Sequence, residues 1–201
     1  MSATLRLYLM RHGETEWSRS GQHTGGSDIP LTPHGEEMSR NLRPMLAGLS
    51  FTQVLVSPRL RARQTCEGAG LSAAARTEPD LAEWDYGDYE SLRTVDIRKR
   101  RSGWNIWRDG CPGGESPREI SLRADRLIDR LRKLEGRIAL FSHGHFGRVL
   151  AARWTGLPVA LGQQFVLSPA TLSILSLAAA DPPQPAERQI ELWNSPSTLP
   201  L

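Results

Sequence analysis

The sequence has very little cysteine and no long hydrophobic stretch. Only Cys66 and Cys111 occur among the 201 residues, and they form neither a CxxC motif nor a disulfide framework. We therefore expect two free thiols in a reducing, cytoplasmic compartment. No run approaches the roughly 20 apolar residues that cross a bilayer, and the apolar stretch between Arg6 and Arg11 is too short for a signal peptide. These absences predict no membrane partner.

Lysine is also scarce, because 23 of the 25 basic residues are arginine and only Lys99 and Lys133 are lysine. The planar guanidinium group binds phosphate or carboxylate in a bidentate manner, but a genome that favours arginine codons is the simpler interpretation of this composition. The net charge is only +3. The arginines are spread along the chain rather than clustered with aromatic residues, so we predict no nucleic-acid partner.

Length and composition are those of an ordinary folded domain. The chain has a mass of 22.3 kDa, with 39% hydrophobic and 23% charged residues. A chain of this length buries roughly 70% of its unfolded surface and needs no metal or disulfide to build a core. We predict one domain over residues 1–201, with a lid-like insertion at about residues 78–116, where helix and strand signals are few.

Predicted strands alternate with predicted helices along the chain. The strands fall at residues 4–10, 51–57, 137–142 and 171–177, with a turn at 181–183 before an edge strand at 190–193. The helices fall at residues 33–42 with a kink or break at Pro44, at 59–69, from the Ser116 capping box to Gly136, and at 146–154. This alternation predicts an α/β fold, a three-layer sandwich with helices on both sides of a mostly parallel central sheet.

Three of the predicted strands end in residues suited to one chemistry. Arg11-His12 follows the first strand, Ser57 leads the second strand toward Arg61, and His143 follows the third. Ligands bind at the carboxyl ends of such strands, and arginine with histidine around one point is typical of an anion site. Zinc is the competing hypothesis, because histidine is its commonest ligand, but neighbouring arginines would repel a cation. We therefore predict no metal.

Four segments resemble motifs of the histidine phosphatase superfamily, to which phosphoglycerate mutases belong. Residues 9–17 (LMRHGETEW) resemble its RHG signature, and residues 57–65 (SPRLRARQT) resemble its second arginine motif. Residues 81–90 (LAEWDYGDYE) resemble its acid motif, and residues 142–144 (SHG) its second-histidine motif. The motifs occur in the family order, so the resemblance covers most of the chain and implies a phosphoglycerate mutase-like fold.

The resemblance also implies roles for individual residues. His12 would attack phosphorus and form a phosphohistidine, while Arg11, Arg61 and a protonated His143 would hold the phosphoryl oxygens. Glu83 would be the general acid. No cofactor is expected, because the arginines would supply the positive charge that magnesium supplies in other phosphoryl transfers. Matching family positions further imply a substrate-binding set, formed by Ser18, Thr24, Gly25, Tyr86, Gly144 and His145.

Two longer segments, WSRSGQHTG at residues 17–25 and WNIWRDGC at 104–111, resemble a sub-group that includes sedoheptulose-1,7-bisphosphatases and acid phosphatases. In the second segment, Arg108 is the candidate to bind a second anionic group of the substrate. Three tryptophans of the insertion would either form an aromatic wall over a sugar or pack its irregular backbone: Trp84, Trp104 and Trp107.

The leading hypothesis is a metal-independent phosphomonoesterase that acts on a small phosphate ester, plausibly a sugar phosphate or bisphosphate. The alternative is a cofactor-dependent phosphoglycerate mutase. Such mutases carry a long basic insertion that is absent here and an asparagine where Ser18 stands, and both departures favour hydrolysis. A non-catalytic phospho-ligand binding module is the third hypothesis, which the presence of His12 and Glu83 disfavours. The sequence leaves a homodimer open.

Overall fold

The computed structural model describes residues 5–177 and 187–196. Six strands and eight α-helices are found in these residues. In chain order they are β1 (Arg6–Arg11), α1 (Glu16–Ser20), α2 (Pro33–Arg40), α3 (Arg43–Leu46), β2 (Gln53–Val56), α4 (Leu60–Gly68), β3 (Ala75–Thr77), α5 (Thr94–Arg100), α6 (Ile106–Asp109), α7 (Pro117–Leu131), β4 (Arg137–Ser142), α8 (Gly144–Trp154), β5 (Thr171–Leu177) and β6 (Arg188–Pro196).

The strands form one mixed sheet in the order β3-β2-β4-β1-β5-β6. The first four strands in this order are parallel to one another. At the other edge, β5 is antiparallel to β1, and β6 is antiparallel to β5. Arg11 pairs with Ser142, so β1 and β4 end side by side and bring His12 next to His143. The predicted α/β fold with a mostly parallel sheet is confirmed. The edge strand β3 was not predicted, because three residues carry too little pattern.

Each face of the sheet packs on its own hydrophobic core. In β1, Leu7 and Leu9 point into a core shared with α7 and α8. Tyr8 and Met10 point the other way, into a core shared with α3 and α4. Because successive side chains of a strand alternate between its faces, a strand that is apolar on both faces must be central. This agrees with the position of β1 between β4 and β5.

The helix starts follow the sequence signals, whereas two helix ends differ from the prediction. Thr32 caps α2, and Ser116 and Glu119 form both bonds of the capping box of α7. Pro44 does not kink a longer helix; it lies in the first turn of α3, where a missing N–H costs nothing. Helix α7 ends at Leu131, and Gly136, with a φ of +81°, lies in the turn before β4.

The segment at residues 78–116 is more regular than its sequence predicts. It contains α5 and α6, and its three tryptophans are all buried in the core that covers α7 and α8. None of them lines the cavity described below, so the packing alternative holds for Trp84, Trp104 and Trp107. The segment at residues 78–116 is therefore part of the folded core on that side of the sheet. Helix α1 was not predicted either, because it overlaps a region predicted as loop.

Both cysteines are free and buried, as predicted. Burial raises the pKa of Cys66 and of Cys111 to about 12, which leaves both thiols unreactive. Within residues 5–177 and 187–196, no helix is both long and apolar enough to cross a membrane. The predicted turn at residues 181–183 lies outside the described residues.

Candidate active site

A cavity of about 280 Å³ lies at the carboxyl ends of β1 and β4. Eight of the predicted site residues line it: Arg11, His12, Ser18, Thr24, Glu83, Tyr86, Gly144 and His145. A larger groove of about 520 Å³ shares Gln22 with this cavity, but the residues that line the groove include no histidine. The chemistry therefore belongs to the smaller cavity.

His12 follows β1 and is 5% exposed. Its Nδ1 lies 2.7 Å from the carbonyl oxygen of Gly13. Because a carbonyl can only accept a hydrogen bond, Nδ1 carries the ring proton and Nε2 keeps a free lone pair. Burial, and then the charges of Arg61 and Arg11, lower the pKa of His12 well below its usual value. His12 is therefore a neutral imidazole with an available nucleophilic nitrogen.

His143 follows β4 and is completely buried, with its ring centroid 5.2 Å from that of His12. The Nε of Arg61 donates to its Nδ1 at 3.2 Å, and its own Nε2–H donates to Ser57 Oγ at 2.6 Å. Burial, and then the charge of Arg61, lower the pKa of His143 well below its usual value. His143 is therefore neutral in the free protein, because its Nδ1 lone pair accepts the Arg61 guanidinium; its protonation during the reaction stays a prediction.

Arg61 is also completely buried, and neither Arg61 nor His143 is among the residues that line the cavity. That both hold phosphoryl oxygens stays a prediction. Arg61 donates to the carbonyl oxygens of residues 24, 25 and 27. The Glu90 carboxylate accepts the N–H groups of Gly25 and Ser27 from the other side of the same loop. The loop is thereby held between a cation and an anion.

Arg11 is the cation that faces the cavity directly. Its Nη1 donates to the carbonyl oxygen of Leu167, and its buried Nε has no hydrogen-bond partner among the described residues. The guanidinium lies against Gly144, where an added Cβ would come within 3.2 Å of Cζ. In the described part of the chain, Arg11 and Arg61 are bound by neutral groups rather than by carboxylates. Their charges remain available to an anion.

Glu83 faces these cations from the segment at residues 78–116 and is 8% exposed. Its carboxylate accepts three backbone N–H groups: Trp84 at 2.9 Å, His145 at 3.0 Å and Phe146 at 2.7 Å. Two of these donors belong to the first turn of α8, where N–H groups lack partners within the helix and attract negative charge. The helix terminus therefore fixes the position of the carboxylate at the cavity.

A neutral polar wall completes the cavity. The Tyr86 hydroxyl lies 2.7 Å from His145 Nδ1, and His23 stacks on the Tyr86 ring with a centroid distance of 4.6 Å. Thr94 Oγ1 lies 3.2 Å from His23 Nε2. Burial lowers the pKa of His23 to about 4, and burial raises the pKa of Tyr86 well above its usual value. Sequence reasoning missed His23 and Thr94, although His23 lies within the segment at residues 17–25.

Two members of the predicted substrate-binding set lie elsewhere. The Arg108 side chain is 68% exposed and bonds both carboxylate oxygens of Asp109, outside the cavity. Gly25 does not line the cavity either. Its backbone supports the loop, and a Cβ there would come within 2.6 Å of the carbonyl oxygen of Trp84. Glycine is thus required at this position for packing.

Arg148 lines the cavity where Arg108 was expected to act. It lies one helical turn after Gly144 in α8. Its Nε and Nη2 donate to the carbonyl oxygens of residues 162 and 163 at 3.1 and 2.7 Å, and its Cζ lies 4.7 Å from the centroid of the Trp107 ring. These contacts hold a second guanidinium at the cavity.

Among the described residues, no group of three or more His, Cys, Asp or Glu side chains could hold a metal ion.

The sequence profile of the histidine phosphatase superfamily (branch 1) matches residues 7–194. The chain belongs to this superfamily. It is 42% identical, over 84% of its length and 85% of the relative's, to an acid phosphatase of Mycobacterium tuberculosis. It is 44% identical, over 79% of its length and 70% of the relative's, to sedoheptulose 1,7-bisphosphatase of Saccharomyces cerevisiae.

A solved structure from Mycobacterium tuberculosis superposes on the chain with a TM-score of 0.86 at 36% identity, over 96% of this chain and 98% of the other. The resemblance drawn from the four motifs is confirmed. The protein is a phosphatase of the histidine phosphatase superfamily, and phosphatases of this superfamily act on phosphorylated metabolites.

Proposed function

We propose that the protein hydrolyses a small phosphate ester through a phosphohistidine formed on His12. The observation that carries this proposal is the neutral state of His12, whose Nδ1–H is bound to Gly13 and whose Nε2 is free. Arg11, which is not neutralised by a carboxylate, lies beside His12 at the cavity, together with Glu83. A neutral nucleophile, a cation and a carboxylate around one cavity are the groups that phosphoryl transfer requires.

The reaction proceeds in two steps. In the first, His12 Nε2 forms a bond to phosphorus as the bond between phosphorus and the ester oxygen breaks, and the Glu83 carboxyl gives its proton to the leaving oxygen. In the second, the Glu83 carboxylate takes a proton from water, whose oxygen attacks the phosphohistidine. Inorganic phosphate leaves and free His12 is restored. Arg11 stabilises the charge on the phosphoryl oxygens in both steps.

Arg61 and His143 support this chemistry beside His12. Burial, and then the charge of Arg61, lower the pKa of His12 and so keep the nucleophile unprotonated. His143 fills the space between Arg61 and Ser57 and bonds to both. Because an incoming phosphate dianion favours protonation of a nearby imidazole, His143 takes up a proton at Nδ1 when substrate binds, and the bond from Arg61 Nε to that nitrogen breaks. No metal enters this scheme, since buried guanidinium groups supply the positive charge.

The substrate we propose is a sugar phosphate that carries a second anionic group. Arg148 supports this choice, because it places a second guanidinium at the same cavity as Arg11. A cavity of about 280 Å³ fits a small metabolite rather than a phosphorylated protein loop. One relative is named sedoheptulose 1,7-bisphosphatase, and a sugar bisphosphate carries such a second anionic group.

The decisive experiment traps the covalent intermediate. Wild-type protein quenched during turnover of a radiolabelled sugar phosphate should carry acid-labile, base-stable phosphate. The His12→Ala variant should carry none, and its kcat should fall by more than about 10⁴-fold, as for loss of a nucleophile in other covalent enzymes. His34→Ala removes an exposed histidine and should change neither result.

Substantial turnover by His12→Ala, or a phosphoenzyme stable to acid, would overturn the mechanism. A requirement for 2,3-bisphosphoglycerate, with isomerisation and no release of phosphate, would instead establish the mutase alternative.

A further inference from the structure

We propose that Arg123, together with Glu115, is a positioning residue that holds Glu83 in place for proton transfer. The inference rests on the general-acid role of Glu83 proposed above. Arg123 lies on α7 and does not line the cavity, so any effect it has on the reaction acts through Glu83.

The Arg123 guanidinium binds the backbone on the approach to Glu83. Its Nη1 donates to the carbonyl oxygens of Asp80 and Ala82 at 2.9 and 2.8 Å. Its Nη2 donates to the carbonyl oxygen of Glu83 itself at 3.1 Å. The side chain is only 12% exposed, so these bonds are shielded from water. One guanidinium therefore fixes the path of the chain up to and including the acid residue.

Glu115 fixes the residues that follow Glu83. It forms a bidentate pair with Arg123, with Nε–Oε1 and Nη2–Oε2 distances of 2.7 Å. Its Oε2 accepts the N–H of Asp85, and its backbone bonds Asp85 and the indole N–H of Trp84. The pair thus ties the backbone on both sides of Glu83 to α7.

Arg123 also contacts the helix end that binds the Glu83 carboxylate. Its Cζ lies 4.5 Å from the centroid of the Phe146 ring, and the backbone N–H of Phe146 donates to Glu83 Oε1 at 2.7 Å. The backbone of Glu83 and the donors of its carboxylate are therefore both in contact with one planar group. A lysine offers neither the fork of donors nor the flat face.

Arg126 provides a matched comparison on the same helix. It also holds the loop before Glu83, but only through the side-chain carboxylate of Asp80, and its own side chain is 57% exposed. Arg130 pairs with the same carboxylate, so Asp80 keeps a cationic partner when Arg126 is lost. Arg123 and Arg126 thus differ in burial and in contact with Glu83, whereas their charge and helix are shared.

The test uses the leaving group of the substrate. An alkyl phosphate needs a proton on its leaving oxygen, whereas p-nitrophenyl phosphate leaves as a stable phenolate and does not. Arg123→Met should lower kcat/KM for an alkyl sugar phosphate by about 10- to 100-fold, part of the roughly 10²- to 10⁴-fold contribution of a general acid. The kcat/KM for p-nitrophenyl phosphate should change by less than about threefold. Arg126→Met should leave both rates unchanged.

Two further variants keep the outcomes distinct. Glu83→Gln should show the same selective loss in kcat/KM, which excludes the later hydrolysis step in which Glu83 acts as base for both substrates. Equal losses in kcat/KM on both substrates would refute the acid role itself. If Glu83→Gln is selective but Arg123→Met lowers both rates equally, or neither, the positioning role is wrong. Glu115→Gln keeps the side-chain shape and serves where Arg123→Met does not fold; a selective loss supports the proposal, and an unselective one overturns it.

Discussion

The cavity has two walls that are held in place by different means. One wall is formed at the ends of β1 and β4, where Arg11 and His12 take their positions from the register of the sheet. The opposite wall comes from the segment at residues 78–116, where Glu83 takes its position from side chains of α7 and from the end of α8. Backbone pairing is insensitive to single substitutions, whereas the second wall depends on individual side chains.

The two walls also differ in how their charges are compensated. At the sheet wall, Arg61 is buried among carbonyl groups and an imidazole. Burial, and then the charge of Arg61, lower the pKa of both His12 and His143. Arg148, which lines the cavity, bonds carbonyl oxygens, whereas Arg123, which holds Glu83, is paired with the Glu115 carboxylate. We propose that the sheet wall meets the phosphoryl group and that the other wall supplies proton transfer and recognition.

The largest effect is expected from the sheet wall, at Arg61. Arg61→Met should lower kcat/KM by about 10²- to 10³-fold, because a preorganised charge is lost. The pH dependence should change as well. Arg61 lowers the pKa of His12, so its removal raises that pKa, and the acid limb of the kcat/KM profile should move to higher pH.

The control for this prediction is Arg63→Met, an exposed arginine of the same helix. Steady-state kinetics across pH, with thermal melts of each variant, make the measurement. An acid limb that stays in place in Arg61→Met would show that the two walls do not differ in electrostatic role.

The difference between the walls also explains what the sequence could predict. His12 and His143 each follow directly after a buried strand, and a period-two pattern locates strand ends. Their convergence follows from parallel pairing alone. Glu83 was found through a motif, whereas the contacts that hold it, made by Arg123 and Glu115, join residues 30 or more positions apart. No local pattern encodes such contacts.

Arg148 lines the cavity and Arg108 does not, and this difference shows the same limit of prediction from sequence. Arg108 lies in a segment rich in tryptophan and was assigned to the substrate, yet its bonds to Asp109 hold it outside the cavity. Arg148 lies four residues after Gly144, which is one helical turn. That spacing places it on the face of α8 that borders the strand ends. The spacing is visible in the sequence, but assigning Arg148 to the site requires knowing which face of α8 borders the cavity.

These two arginines provide an intermediate test on the recognition side. Arg148→Met should lower kcat/KM for a sugar bisphosphate by about 10- to 100-fold, because remote binding energy positions the reacting phosphate. The rate with p-nitrophenyl phosphate, which has no second anionic group, should barely change. Arg108→Met should affect neither substrate. Equal losses on both substrates in Arg148→Met would place Arg148 among the catalytic groups and remove the argument for a second anion.

The smallest effect concerns the folding stability contributed by the cavity wall that contains His23 and Tyr86, and it is measured at His23. Burial lowers the pKa of His23 from 6.5 to about 4. Between these values the unfolded chain binds a proton at this site and the folded protein does not, so folded-state stability is lost as pH falls below 6.5. The slope is about 1.4 kcal/mol per pH unit for one such group.

His23→Gln cannot titrate, so this part of the slope should disappear. Urea unfolding at pH 4.5, 5.5 and 6.5 measures it, and the stability difference between wild type and variant should change by about 1.4 kcal/mol for each pH unit. His34→Gln, at an exposed site, should run parallel to wild type. If His23→Gln is parallel too, His23 titrates alike in the folded and unfolded chain. The stack on Tyr86 would then be open to water. The wall that contains His23 and Tyr86 would be less shielded from water than the wall that contains Arg11 and His12.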